Sequence, residues 1–394
     1  MRLLPFATLL RDHQRKGTGR NAWSGRLGHK PAHSPWSPKD FAAACGVSER
    51  TERAWRTGES LPDDLGVIEG VLFGQQDATD ARVELRAAFD SDISQRRVLP
   101  RPTRRPKSHF KTNPDGRPDL VLIPSGAFDM GVSNTEEERE GVPQDYRSRA
   151  SPLHRVTFQS GFYLGRHAVT RGDFKLFVYE SGYSIPKGCY RWMEDGWRLS
   201  ADHNWLQPGF PQDDRHPVVC VNQDDVEAYL KWLSQKTGVT YRLPSEAEWE
   251  RAARGGNPSA RFWGEDRSPA QHYANVADHS LSRKWKVPDS PKKFFPWNDN
   301  FPFTAPVGSF NPNPFGLFDM LGNTSDWCAD HWHDNYEGAP SDGSAWMRGS
   351  DFGQFVVRGS AWHTAPWSLR VGMRNRNDGT VRDTATGFRL ARNL

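Results

Sequence analysis

Between residues 36 and 74 the chain reads WSPKDFAAACGVSERTERAWRTGESLPDDLGVIEGVLFG, with apolar positions recurring at helical spacing. Ser37 is placed to cap a first helix with Pro38 at its first position, and Phe41, Ala42, Ala44 and Cys45 give that helix an apolar face. Gly46 permits the left-handed turn that ends it. Ser48 then caps a second helix with Thr51, Ala54 and Trp55 at core spacing, Gly58 closes it, and Leu61, Val67, Ile68, Val71 and Leu72 predict a third. Two short helices about a Gly-centred turn, the second presenting Glu49, Arg50, Glu52, Arg53 and Arg56 outward, predict a helix-turn-helix geometry.

From Asp119 the pattern changes. Short apolar runs (LVLIPSG at 120–126, FDMG at 128–131, GFYLG at 161–165) alternate with Gly, Pro, Asn and aromatic turns. Only two helices are clear. One runs from about Asp224 through Ala228, Tyr229, Trp232 and Leu233; the other follows Pro244, with Ser245 as cap and Glu248 closing a capping box. So much loop needs something besides hydrogen-bond ladders to fix it, and bound cations do that. Residues 94–118 carry Pro100, Pro102, Pro106 and Pro114 among basic residues without apolar periodicity, and are predicted to be an extended linker. The predicted organisation is a small helical domain over 1–93, this linker, and a second domain over 119–394. No apolar run reaches the roughly 18 residues that a membrane span needs, so no membrane partner is expected.

Composition sharpens this picture. Sixteen Trp, 35 Gly and 29 Pro in 394 residues predict a loop-rich domain with a large aromatic core, and exclude a coiled coil, a collagen-like fibre or a wholly disordered chain. Residues 1–117 hold 21 Lys/Arg against 14 Asp/Glu, while the rest holds 31 against 34, so the whole basic excess lies in the N-terminal part. That asymmetry favours contact with a polyanion. Cys45, Cys189, Cys220 and Cys328 are widely spaced with no CxxC, which predicts neither a disulfide scaffold nor a zinc ribbon. With too short an apolar stretch before Arg11 for a secretory signal, a reducing cytoplasm is the expected location.

The N-terminal stretch resembles the Cro/repressor type of helix-turn-helix on Gly46-Val47-Ser48 and on Trp55-Arg56-Thr57-Gly58, with 6–16 as an opening helix and a polar insertion over 17–35. The resemblance implies duplex DNA as a partner of residues 1–117, contacted by Ser48, Arg50, Thr51, Arg53 and Arg56. Glu49 and Glu52 weaken phosphate attraction, so a protein-binding or supporting module is the alternative.

Residues 119–394 resemble the formylglycine-generating enzyme, or sulfatase-modifying factor, family. The matching stretches include Met130-Gly131, YRLPSEAEWE at 241–250, TAPV at 304–307, PFGLFD at 314–319, Gly322-Asn323, Arg358-Gly359 and GFR at 387–389. The resemblance implies an α+β, C-type-lectin-like fold with little regular secondary structure, preceded here by the small all-α domain. It also implies two structural calcium ions. The first would be held by the Asn275 and Asp299 side chains with the Val276 and Phe301 carbonyls, the second by the Asp319 and Asp326 side chains with the Gly322 and Thr324 carbonyls. Mixed carboxylate, amide and backbone oxygens suit calcium.

At the reactive centre the chain departs from the family. Active members place two copper-binding cysteines after an Arg-Gly-Gly-Ser segment, where this chain reads RGSAWHTAPWSL at 358–369. The cysteine positions fall on Thr364 and on Ser368 or Leu369, so no copper and no formylglycine formation by the family mechanism are expected. Cys328, His331 and His333 offer a weaker zinc or iron grouping, because residues 331 and 333 share one face of an extended segment.

The expected function is therefore a non-catalytic binding or regulatory protein: a helix-turn-helix fused to a calcium-stabilised, lectin-like domain. Its ligand would meet Trp362, His363, Thr364 and Trp367, followed by Arg370, Met373, Arg374, Asn375 and Arg376. The alternatives are an oxidoreductase of this family with altered chemistry, and a display protein diversified by a retroelement, whose hypervariable tail the C-terminal segment resembles.

Overall fold

The computed structural model describes residues 118–193, 196–348 and 353–394, together with Leu10, Phe41, Ala42, Cys45, Ile68, Leu72 and Leu85. Two compact units divide at Met1–Leu99 and Pro100–Leu394. In the first unit Phe41 and Ala42, and likewise Ile68 and Leu72, are helical and buried, as their apolar spacing predicts. The contact residues Ser48, Arg50, Thr51, Arg53 and Arg56, and the linker over 94–117, lie outside the described residues.

The second unit is α+β with short elements. Its strands in chain order are β1 (Leu120–Ile123), β2 (Gly126–Met130), β3 (His154–Phe158), β4 (Phe162–Gly165), β5 (Cys189–Met193), β6 (Gly196–Ser200), β7 (Ser325–His331), β8 (Gln354–Arg358), β9 (Arg374–Asp378), β10 (Thr386–Gly387) and β11 (Ala391–Asn393). The helices are α1 (Asn134–Arg139), α2 (Arg171–Ser181), α3 (Gln223–Thr237), α4 (Glu246–Arg254) and α5 (His279–Trp285). β4 pairs antiparallel with both β1 and β11, so the two ends of the unit close one sheet. A second sheet runs β10-β7-β8-β9, with β10 parallel to β7 and the others antiparallel. β2–β3 and β5–β6 are separate antiparallel pairs.

Both helices expected from sequence form where their caps lie. Asn222 and Asp225 make a reciprocal capping box on α3, and Ser245 and Glu248 make one on α4. α4 carries Glu246 and Glu250, four residues apart and therefore on one face, into the interior. There Arg358 binds both carboxylates, Arg374 binds Glu246 and Arg254 binds Glu250. Four fully buried tryptophans, Trp205, Trp249, Trp327 and Trp362, supply the aromatic core that the composition predicts. Their indole groups are satisfied in part by the fold: Trp249 Nε1 donates to Asp326 at 3.0 Å and Trp327 Nε1 to the Val221 carbonyl at 3.1 Å.

One expectation is overturned. Cys189, at the start of β5, is disulfide-bonded to Cys220, with 5.6 Å between their Cα atoms. The pairing is non-local: Tyr190 N donates to the Arg382 carbonyl and Cys220 N to the Asp383 carbonyl, so the 382–383 segment draws the two cysteines together. Sequence spacing cannot show such a contact. By the chain-entropy argument the bond stabilises the unit by about 2–4 kcal/mol. Persistent disulfides belong mainly to oxidising compartments, so the cytoplasmic expectation loses the support it drew from unpaired cysteines. No helix among the described residues is long and apolar enough to cross a membrane.

Candidate binding cleft and cation sites

A cleft of about 570 Å³ opens between the β5–β6 hairpin, β9 and the 363–368 turn. Tyr190, Trp192 and Trp197 come from the hairpin. The Trp192 and Trp197 rings meet edge to face at 5.4 Å and flank His363, whose ring lies 4.9 Å from Trp192 and 5.5 Å from Trp197. Burial pushes the His363 pKa down to about 4, so the imidazole is neutral at neutral pH. A second aromatic pair, Tyr146 and Trp367, meets edge to face at 4.9 Å.

Of the ligand residues expected from sequence, His363, Thr364, Trp367, Met373, Asn375 and Arg376 line this cleft. Trp362, Arg370 and Arg374 do not. Trp362 is buried and donates from Nε1 to the Thr384 carbonyl at 3.0 Å. Arg370 is buried, where burial lowers its pKa against the pull of Glu136 and Glu137. Arg374 spends its guanidinium on both oxygens of Glu246 and on backbone carbonyls. Read as surface arginines, these two are interior ones: Arg374 is held by Glu246 from a distant segment, while Arg370 is buried with Nε and Nη1 lacking hydrogen-bond partners.

The aromatic hairpin and Arg149 escape a reading based on the C-terminal segment alone. A signal was present: Asp195-Gly196 stands between the aromatic positions 192 and 197, the dipeptide that favours a tight hairpin.

Thr364 and Ser368 both line the cleft, and their hydroxyls serve the backbone. Thr364 Oγ1 accepts from Ala361 N at 2.7 Å and Ser368 Oγ donates to the Ala365 carbonyl at 3.1 Å. The Cys328, His331 and His333 grouping fails as a metal site. The Cys328 thiol is buried and pushed well up in pKa by that burial, and His331 packs against Phe355. His333 stacks on Trp346, with its two ring nitrogens at the carbonyls of His331 and Arg348. Among the described residues no three His, Cys, Asp or Glu side chains converge to hold a metal ion.

The proposed calcium-binding side chains share one peculiarity: each keeps one buried oxygen without a hydrogen-bond partner, namely Asn275 Oδ1, Asp299 Oδ2, Asp319 Oδ1 and Asp326 Oδ1. Their other polar atoms are engaged. Asn275 Nδ2 donates to the Phe303 carbonyl at 2.7 Å, and Asp299 Oδ1 accepts from Phe301 N at 2.7 Å. Asp319 Oδ2 accepts from Gly308 N at 2.8 Å, and Asp326 Oδ2 accepts from Trp249 Nε1 and Arg389 Nε. Burial, opposed by the Gly308 N–H and Arg389, raises Asp319 to about 6. Burial and the neighbouring Asp278 raise Asp299. The turn that joins the two groups is tight: Gly322 has φ +83°, and a Cβ there would stand 2.4 Å from the Asn275 carbonyl oxygen. Bare buried oxygens of carboxylate and amide type fit a hard cation, whose positive charge would remove the burial penalty. Because each group mixes carboxylate or amide with backbone oxygens, neither contains three carboxylates.

The sequence profile described as Sulfatase-modifying factor enzyme 1-like domain matches residues 106–394. A formylglycine-generating enzyme of Thermomonospora curvata is 31% identical over 304 residues, spanning 69% of this chain and 92% of that protein. The mouse (Mus musculus) formylglycine-generating enzyme is 31% identical over 241 residues, 54% of this chain and 58% of that protein. Among solved structures, PvdO from Pseudomonas aeruginosa matches at TM-score 0.58 and 35% identity, covering 74% of this chain and all of that one (100%). Treponema denticola variable protein 1 matches at TM-score 0.51 and 20% identity over 70% of this chain and 95% of that one, and shares the fold.

Proposed function

The chain belongs to the sulfatase-modifying factor family, and on that premise we propose that its C-terminal unit is a calcium-stabilised ligand-binding domain without formylglycine chemistry. The observation that carries this reading is the cleft floor. Thr364 stands there at the position the family resemblance gives to the first copper thiolate, and Ser368 at one of the two positions, the other being buried Leu369, that it offers for the second; the Thr364 and Ser368 hydroxyls are committed to Ala361 N and the Ala365 carbonyl. Neither group holds Cu(I), which selects soft sulfur ligands. Asn275, Asp299, Asp319 and Asp326 would hold calcium through their bare oxygens, and the ions would fix loops that few backbone ladders restrain. Incubated aerobically with copper and a Cys-x-Pro-x-Arg peptide, the purified protein is expected to yield no aldehyde product by mass spectrometry. Copper-dependent turnover of that peptide would return it to the catalytic members.

The reading extends to the N-terminal unit as a DNA-binding module using Ser48, Arg50, Thr51, Arg53 and Arg56. A DNA contact needs the cytoplasm. The Cys189–Cys220 bond is compatible with that location because both residues are 0% exposed, which denies thiol reductants access to the sulfurs. The full chain should retain duplex DNA with steep salt dependence, and Arg50→Glu with Arg53→Glu should lower that retention roughly tenfold or more. Equal retention by the double variant would make the module a protein-binding one.

A further inference from the structure

We propose that the excursion over residues 278–295 is a contact surface for the phosphate backbone of duplex DNA. This goes beyond the ligand-binding and helix-turn-helix readings, because the surface belongs to the C-terminal unit and none of its residues lines the cleft. The excursion leaves and re-enters the fold at one point. Asp278 and Phe295 form a β-bridge, Phe295 N donates to the Ala277 carbonyl at 2.8 Å, and His279 N donates to the Trp297 carbonyl at 2.9 Å. Within it, Val287 N donates to the Ser282 carbonyl, and Asp289 accepts from Ser282 Oγ and lies 3.5 Å from His279 Nε2. The residues that follow α5 are thus tied back onto that helix.

Five side chains of this element are exposed cations: Arg283, Lys284, Lys286, Lys292 and Lys293. None of them makes an ion pair or a side-chain hydrogen bond among the described residues. Its two carboxylates are engaged locally. Asp278 is buried and accepts from Ser280 N and Asp299 N, and Asp289 serves Ser282 and His279. The element stands in a stretch, residues 118–394, where acidic residues outnumber basic ones by 34 to 31, so its charge is a local feature and not the background. The helix dipole favours basic residues at a C-terminus and accounts for Arg283, Lys284 and Lys286. It does not account for Lys292 and Lys293. Nor does it explain why Lys286 ends α5 in the left-handed region, at φ +58°, where glycine is the low-cost residue.

What accompanies the charge selects the partner. Lysine is depleted in protein–protein interfaces, which centre on apolar and aromatic anchors, and helices that lie on membranes insert such groups. Here Leu281, Phe294 and Phe295 are buried and Trp285 and Val287 half-buried, so the element exposes no large apolar side chain. Point charges on flexible stems, without apolar anchors, suit phosphate oxygens, which position a nucleic acid without reading its sequence.

The test measures duplex DNA binding by the full chain, with calcium present, across a salt series. The parent is compared with a quadruple variant combining Lys284→Gln, Lys286→Gln, Lys292→Gln and Lys293→Gln. Each phosphate contact contributes about 0.9 to the slope of log affinity against log salt. The quadruple variant should therefore flatten that slope by roughly 2–4 and bind at least roughly tenfold more weakly at low salt. Lys292→Gln with Lys293→Gln leaves α5 untouched and should flatten the slope by roughly 1–2, so the result does not hang on the helix end. The same flattening is expected in the Arg50→Glu, Arg53→Glu background, which separates this surface from the N-terminal module whether or not that module binds DNA. A slope unchanged by the loop substitutions in either background overturns the proposal, as does a parent chain that retains no duplex. Retention of phosphatidylserine vesicles that the quadruple variant loses, with DNA binding unaltered, would overturn it in favour of a membrane contact.

Discussion

Replacing Arg358 by Met is expected to lower the unfolding free energy of the C-terminal unit by roughly 3–5 kcal/mol, because it strips partners from two buried carboxylates. Arg358 Nη1 lies 2.8 Å from Glu246 Oε1 and Nη2 lies 2.6 Å from Glu250 Oε2, with all three side chains at most 4% exposed. Nη2 also donates to the Val371 carbonyl at 2.9 Å, and Nη1 to the Tyr336 hydroxyl at 3.2 Å. Burial alone would raise the Glu246 pKa, yet the guanidiniums of Arg374 and Arg358 and the Tyr336 hydroxyl hold it below the usual carboxylate value. Methionine fills the volume but meets neither carboxylate, so Glu250 Oε2 is left buried beside apolar surface. Arg358→Lys keeps the charge without the fork and should recover only part of the loss. Urea unfolding in the presence of calcium measures both. A loss below about 1 kcal/mol for the methionine variant would mean that the network is dispensable.

This network also marks where the sequence stopped being readable. α3 and α4 are visible in the chain because their signals are local: Tyr229, Trp232 and Leu233 recur at helical spacing in α3, and Ser245 with Glu248 sit three residues apart at the start of α4. The sheets are not. β4 is paired by β1 at the start of the unit and by β11 at its end, and no local period announces that register. Arg374 and Arg370 read as display residues for the same reason: the carboxylate that binds Arg374 is on α4, and those whose charge acts on buried Arg370 are on α1, both far away in sequence. The lack of copper ligands is what the family resemblance implies, since no cysteine stands at 364, 368 or 369 in the string itself. The cleft's aromatic wall was not legible, because the hairpin meets His363 across a long sequence separation, where the Cys189–Cys220 bond and the 382–383 segment hold β5.

The four bare oxygens make a claim about calcium that pH can separate from ordinary ion effects. Chelation should lower the melting temperature of the unit, and calcium at a thousandfold excess over its dissociation constant should restore about 4 kcal/mol per site. In the metal-free fold Asp319 titrates near about 6, above its unfolded value, because burial outweighs the Gly308 N–H and Arg389. A carboxyl group with a raised folded pKa holds its proton longer in the folded state than in the unfolded chain. The metal-free fold therefore loses stability as pH rises from the ordinary carboxylate range through about 6, and the penalty is complete above it. Asp299, raised by burial and by Asp278, shifts in the same direction. A bound cation replaces the proton, so the calcium-loaded fold escapes the penalty. The gap in melting temperature between loaded and chelated protein should then widen from about pH 5 to about pH 7.5. Asp319→Asn removes the titrating charge and keeps the shape. That variant should be less sensitive to pH when chelated, keeping the Asp299 contribution, and should lose the calcium gain of the second site while the first keeps its own. A chelator effect of the same size at both pH values, or none at either, would show that Asp319 and Asp326 do not aim their free oxygens at a cation.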